Sequence, residues 1–540
     1  MADLTEITFD YIVVGSGPSG AMCAQTLVEA GRKVLMLDAG LQANNLDDTI
    51  TDTFEEIRKT RRDQHKTFLG ERFESISQNT LQKVAQLTPQ RLHVTDTKHF
   101  LPFNSNSFFP VESLAYGGLG EAWGLGCNTF SENELRQVGL NVSEMKAAYQ
   151  CVADRIGISY TKNDVELFTM PGIKNLQPGI IVDDNAFTLL NTYNSRKRRI
   201  QKEHFFMGTP SLALLTRDKN ERLATQYTDM DFYGNPGNSA YRPSITIREL
   251  EKSPNFVYKP GVLVTSFSEA IHDVTVMGTA IDTNVPVSYS GKKLMLASNV
   301  LSTARIVLRS FDAYDTRIPI LCNPYSYLSC LALNRLGKLN GARRTSTVQL
   351  SLFHDADLQN ADVAMASIYS YGSLMMFRVL NETFVNVKDA LAILRFLMPS
   401  IIIGGIHHPD KPGVTKYVRL LKSQDSWAGD ILDARYKLSE EEEIKIERRN
   451  KKFASIFRQL RCLPLKKVTP PVGASVHYAG TLPFHNTEER LTTQFSGRLS
   501  ATKNVFVADG SGFKFLPAKG ITFSLMANAH RTALNALQDE

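Results

Sequence analysis

Residues 9–40 read FDYIVVGSGPSGAMCAQTLVEAGRKVLMLDAG, and this stretch decides the fold. It opens on the apolar run Tyr11-Ile12-Val13-Val14, which suits a strand buried on both faces of a parallel sheet. A glycine-rich turn follows. The pattern then turns helical from about Ser19 to Ala30, with Met22, Leu27 and Val28 directed inward and Gly31 as the stop. Residues Lys33 to Leu37 return as a second strand. The glycines have separate tasks. Gly15 permits the tight turn. Gly17, flanked by Ser16, Pro18 and Ser19, lets the backbone approach a pyrophosphate, and Gly20 lets the helix pack closely on the strand. The helix start offers unpaired N–H groups and the positive end of its dipole to phosphate oxygens. Asp38, followed by Ala39, stands about 20 residues further on, where an acid can accept hydrogen bonds from a ribose diol. Strand, turn, helix and acid together specify a dinucleotide-binding βαβ unit.

Working outward, 540 residues exceed what one compact core usually holds, so two domains, or one with a large insertion, are expected. Apolar residues at 43% and charged residues at 21% match a soluble globular chain and exclude a disordered or fibrous one. A net charge of +6 is too small for a nucleic-acid partner unless basic residues cluster. They cluster at Arg196, Lys197, Arg198, Arg199 and Lys202, which would either steer a phosphate-bearing substrate or form a solvated loop. Cys23, Cys127, Cys151, Cys322, Cys330 and Cys462 show no paired spacing and read as free thiols of a reducing compartment. The start, Met1 to Glu6, lacks the basic and apolar regions of a secretory signal, so a cytoplasmic enzyme is expected.

The most apolar stretch, residues 391–406, contains Arg395 and Pro399 and is shorter than the roughly 20 residues that cross a bilayer. It reads as a buried strand. Leu394, Phe396, Leu397 and Met398 beside Arg395 leave contact with a membrane surface open. Residues 44–98 are rich in charge and read as an insertion with exposed helix, including Glu55 to Lys59. From Leu250 the pattern changes to short strands at 256–258, 262–264 and 293–296, where the chain re-enters its first domain. Glu440 to Arg449 is a good surface-helix former. No set of His, Cys and carboxylates has a metal-ligand spacing, and there is no nucleophile elbow or P-loop.

Three further segments matter: 116–124, YGGLGEAWG; 262–308; and a C-terminal group, 475–481, 504–511 and 516–522. With the first unit, they resemble the glucose-methanol-choline oxidoreductase family, and the glycine loop with its tryptophan is similar to the sugar-oxidising, pyranose-oxidase-like branch. The resemblance implies an α/β fold: a Rossmann-like FAD-binding domain over 1–160, 241–312 and 471–540, and a second, α+β substrate domain built on an antiparallel sheet over 161–240 and 313–470. It implies FAD as cofactor. Gly117, Gly118 and Trp123 would cover the flavin, Val264 would meet the adenine, and Ser298 would stand near the phosphates. Asp509 and Gly510 would lie beside the ribityl and phosphate groups, with Gly520, Ile521 and Thr522 in the flavin-facing segment.

His477 would be the general base for a small-molecule alcohol or sugar, since imidazole titrates near working pH. The family's second catalytic position, histidine or asparagine, falls here on Lys519 or Gly520, and Lys519 would supply the missing hydrogen bond. Gly120, Glu121 and Asn299 also depart from the family pattern. His407 and His408 belong to the expected substrate region, where adjacent strand residues point to opposite faces and at most one reaches a pocket. The implied activity is hydride removal from a hydroxyl-bearing carbon. The alternatives are a lyase or isomerase of the same fold with a structural FAD, or a flavin-binding protein without turnover.

Overall fold

The computed structural model describes residues 9–42, 56–57, 60–72, 74, 87, 89–95, 97, 100–229, 234–338, 345–370, 397–487 and 489–539. Glu55, Arg58 and Lys59 of the expected exposed helix lie outside these residues, as do Leu394, Arg395 and Phe396 of the apolar cluster.

The strand Phe9–Val14 is the centre of a mixed sheet. It pairs in parallel with Val34–Leu37 on one side and with the end of Pro286–Leu296 on the other. Phe256–Lys259 and Val505–Val507 extend this parallel core at its two edges. Val262–Glu269 and Val274–Ala280 add an antiparallel meander on the outer half of Pro286–Leu296. Alternate residues of the central strands go to different cores, which is why they are apolar without interruption. Tyr11, Val13, Val34 and Met36 pack under the helices Pro18–Glu29 and Thr522–Gln538. Phe9, Ile12, Val14, Leu35 and Leu37 pack on the opposite face, with Ile306 and Val307 of the helix Val300–Ser310.

A second sheet is antiparallel throughout, in the order Cys462–Val468, Tyr325–Ala332, Ile401–His407, Val363–Ser370, Leu350–Asp355, Phe205–Gly208. The architecture is therefore a Rossmann-like α/β layer joined to an α+β unit on an antiparallel sheet, as the sequence implies. Leu350, Leu352, Ala364, Ala366, Ile368, Ile402 and Ile406 face the helices Asp184–Lys202 and Glu440–Gln459. The latter helix starts on a Ser439–Glu442 capping box and presses Phe457 against Gly404, where a Cβ would stand 2.7 Å from the ring. Of the apolar stretch, residues 401–406 belong to the strand Ile401–His407 inside this sheet, preceded by a 3-10 turn at Met398–Ser400; residues 391–396 lie outside the described residues. Among the described residues no helix is long and apolar enough to cross a membrane.

The basic cluster is helical and not a loop. Arg196 to Lys202 end the helix Asp184–Lys202, whose Ala186, Leu189, Tyr193 and Ile200 are buried at helical spacing, so the cations fall on the solvated face. Lys197 pairs with Asp164 at 2.7 Å and Arg196 donates to the Gln459 carbonyl. All six cysteines are free thiols.

The contact between turn and helix is backbone against backbone: a Cβ at position 20 would lie 1.8 Å from the Gly15 carbonyl oxygen. Gly20→Ala is therefore expected to lower stability by about 3 kcal/mol, an overpacking cost, in urea unfolding followed by circular dichroism.

Candidate functional site

The carboxyl ends of the parallel strands open into one cavity of about 470 Å³, which continues to the second sheet. This is the crevice in which open α/β sheets hold ligands. Gly15 takes φ +98° and fits against Ala297, turning the chain away from the strand. A Cβ built on Gly17 would meet no protein atom within 4 Å, so the space above Gly17 belongs to the cavity. The helix Pro18–Glu29 starts there with no side chain capping its first N–H groups, and Thr522–Gln538 starts at the same cavity, also without a side-chain cap. Two uncapped helix starts facing one crevice fit a pyrophosphate-bridged dinucleotide.

Ser16 links the parts of this cradle. Its hydroxyl donates to Asp38 and accepts the Gly117 N–H at 2.9 Å, tying the first turn to the second glycine loop. Asp38 also accepts from the Tyr258 hydroxyl at 2.9 Å; burial pushes its carboxyl up to about 6 despite these bonds. Asp509 accepts from Thr303 Oγ1 at 2.6 Å and from the Ser511 N–H at 2.9 Å, and burial raises its carboxyl as well. Ser298 reaches Thr303 Oγ1 at 3.0 Å, and Asn299 takes φ +77°, a backbone state in which glycine is the ordinary occupant. The departures at 120 and 121 also have local causes. A Cβ on Gly120 would stand 2.4 Å from Pro243, and Glu121 accepts the Ser244 N–H at 3.0 Å, capping the helix Pro243–Leu250.

Of the residues singled out by sequence, Gly15, Ser16, Gly17, Pro18, Ser19, Asp38, Ala39, Gly118, Trp123, Val264, Ser298, Asp509, Gly510, Gly520, Ile521, Thr522 and His477 all line this cavity. Gly20 and Gly117 stand behind it as packing and hinge positions.

Lys519 is the correction. It is 0% exposed, and its ammonium donates to Glu134 at 2.7 Å and to the Thr129 carbonyl at 3.1 Å. A cation so desolvated needs its carboxylate, which holds it in the protein interior and away from the lining, so it cannot supply the bond that Gly520 lacks. The nearest polar side chain to that gap is Asn128, whose Nδ2 lies 3.8 Å from where a Gly520 Cβ would stand.

His477 follows Val476, a β-branched residue held at φ +58°, so a strained turn delivers the imidazole to the cavity. The Asn323 amide donates to the carbonyls of His408 at 2.8 Å and Pro517 at 3.1 Å, which leaves its Oδ1 to face His477 Nδ1 at 3.1 Å. An oxygen acceptor at Nδ1 places the proton there and leaves Nε2 as the lone-pair nitrogen. Burial lowers His477 to about 4, so the ring is neutral at physiological pH. His407 stacks on His477 with centroids 5.0 Å apart and also lines the cavity. His408 points the other way, its Nε2 3.1 Å from Asn450 Oδ1, as strand alternation requires. Asn323, Tyr258 and Asn128 had no signal in the sequence: each acts through a partner at least 150 residues away.

The chamber beside the two histidines is walled by Ser346, Thr347, Ser351, Met365, Ser367 and Tyr369 from the second sheet and the segment before it. No ionised group lies among these described residues. On the side of the parallel sheet Arg305 holds Glu112 at 2.6 and 3.0 Å.

Among solved structures, the crystal structure of pyridoxine 4-oxidase from Mesorbium loti has a similar fold, with a TM-score of 0.58 and 12% identity over 98% of this chain and 99% of that one. No protein-family model and no curated protein sequence matches the chain.

Lys519→Met is expected to strand the Glu134 carboxylate and cost about 3–5 kcal/mol in chemical denaturation. The double substitution Lys519→Met with Glu134→Gln should recover part of that loss, since no unpaired charge remains.

Proposed function

We propose that the protein is an FAD-dependent oxidoreductase that removes a hydride from a hydroxyl-bearing carbon of a small neutral alcohol, with sugars and sugar-like polyols the favoured class. One observation carries this reading: an imidazole with a fixed tautomer, His477, stands where a dinucleotide cradle meets a chamber lined with hydroxyl groups. The similar fold of a protein named as an oxidase supports it.

Gly15 to Ser19, Asp38, Val264, Ser298, Asp509 and Thr522 are the residues that would hold FAD. Bound there, FAD supplies the two-electron acceptor for the hydride that leaves the carbon as the carbonyl forms. The chain's own contribution is the proton. His477 Nε2 takes it from the substrate hydroxyl, and the resulting imidazolium keeps its Nδ1–H on Asn323 Oδ1. Gly118 and Gly17 keep the cradle narrow, for a Cβ on Gly118 would already stand 3.2 Å from Gly17 Cα. Among the described residues the chamber walls offer hydroxyls and no cation, which fits an uncharged substrate better than a phosphorylated one.

A reaction without net electron transfer, with His477 shuttling a proton, is favoured by the bare Gly520. The two differ in one measurement. Purified protein should be yellow, and its flavin band should bleach anaerobically with at least one alcohol in a panel of sugars, polyols and aromatic alcohols. Turnover without bleaching would select the proton-shuttle reading instead.

His477→Ala should leave the yellow colour and lower the rate of flavin reduction by about 10²–10⁴-fold; an unchanged rate rules out the base role. The working form of His477 is unprotonated, and burial brings its titration from 6.5 to about 4. The acid limb of kcat/KM should therefore fall with a midpoint near 4 and not near 6.5, provided the free enzyme is titrated.

A further inference from the structure

We propose that His407 is a second substrate-contacting residue, the hydrogen-bonding partner of the hydroxyl whose proton His477 takes, and that it does the work for which position 520 has no side chain. The proposal rests on the oxidoreductase reading above.

Buried histidines elsewhere in the described chain are satisfied by protein or enclosed in it. His408 Nε2 meets Asn450 and His530 Nδ1 meets Thr26 Oγ1 at 2.7 Å, while His354, whose nitrogens have no partner among the described residues, is sealed between Phe205 and Phe453 and does not line the cavity. His407 differs. Two rings pack on it, Tyr325 with centroids 4.5 Å apart at 35° and His477 at 5.0 Å and 25°, and together they restrain the ring plane. Its edge carries no hydrogen bond from any described residue, and the ring lines the cavity.

A ring restrained by its neighbours and open at its edge is arranged to bind something at its nitrogens. Neutral imidazole presents one donor and one acceptor, the pair that a hydroxyl group needs. Burial and the neighbouring His477 keep His407 well below its ordinary value, so the two stacked rings do not carry two charges. Position also fits. His407 ends the strand Ile401–His407 opposite Met365, whose strand also supplies Ser367 and Tyr369 to the chamber wall. The residue therefore stands between the base and the hydroxyl-lined wall, and it comes from the antiparallel sheet, not from the C-terminal segment that carries Gly520.

The test uses the FAD-loaded protein and diethyl pyrocarbonate, which carbethoxylates neutral accessible imidazoles, with the modified peptides located by mass spectrometry. His407 should be modified, and excess D-glucose or pyridoxine, both hydroxyl compounds without net charge near neutral pH, should protect it. An unreactive His407, or one that neither compound protects, overturns the proposal without any appeal to turnover. In parallel, with whichever panel alcohol bleaches the flavin, His407→Phe keeps the stacked ring but removes its nitrogens. It should lower kcat/KM by about tenfold or more, while His407→Gln, which restores a donor and an acceptor, should recover part of the loss. Unchanged kcat/KM in His407→Phe also overturns it. If no alcohol bleaches the wild-type flavin, the oxidoreductase reading fails, and protection of His407 still decides whether it contacts a hydroxyl ligand.

Discussion

The helix Pro18–Glu29 can lie against the turn that feeds it because position 20 has no side chain to meet the Gly15 carbonyl. From this contact follow the direction of the helix, the open space above Gly17 and the alignment of the first N–H groups with the cavity. Everything on the nucleotide side is arranged around it. The Ser16 hydroxyl carries the constraint outward to Asp38 and to Gly117, so the second glycine loop is placed by the first. Val300–Ser310 and the segment from Asp509 are joined to the same region through Thr303.

Charge is distributed with a consistent logic. Three deeply buried cations meet carboxylates: Lys519 meets Glu134, Arg305 meets Glu112, and Lys416 meets both Asp410 and Glu442. Each carboxylate satisfies a desolvated cation; Lys519 and Lys416 are not among the lining residues, and Arg305 reaches the cavity already paired. The chamber next to His477 is left with hydroxyls, a thioether and neutral rings. Burial lowers both His477 and His407, and among the described residues no carboxylate offsets it. The result is an imidazole at position 477 that is unprotonated over a wide pH range, with its tautomer set by Asn323. The strain at Val476 is consistent with a turn held in place by its surroundings to present that ring.

The two sheets contribute different kinds of chemistry. The parallel core supplies backbone N–H groups and two carboxylates, suited to a cofactor that must be held in one position. The antiparallel sheet alternates between a helix-covered apolar face and a chamber face of serines, a tyrosine and His407, suited to variable recognition of a small molecule.

The sequence alone determined the βαβ unit, because its signal is local: an uninterrupted apolar strand, glycines at fixed offsets and an acid at the end of the next strand. It also placed His477 and the cavity-lining positions of the later segments through their resemblance to a family. It did not determine which groups surround the base. Lys519 looked available because a lysine beside a glycine carries no mark of the Glu134 carboxylate that holds it from 385 residues away. Asn323 and Tyr258 likewise gain their roles only when distant strands come together. His407 and His408 are adjacent in the chain and equal in composition. The tertiary structure separates them, since strand alternation and the packing of the second sheet turn one ring to the cavity and the other to Asn450.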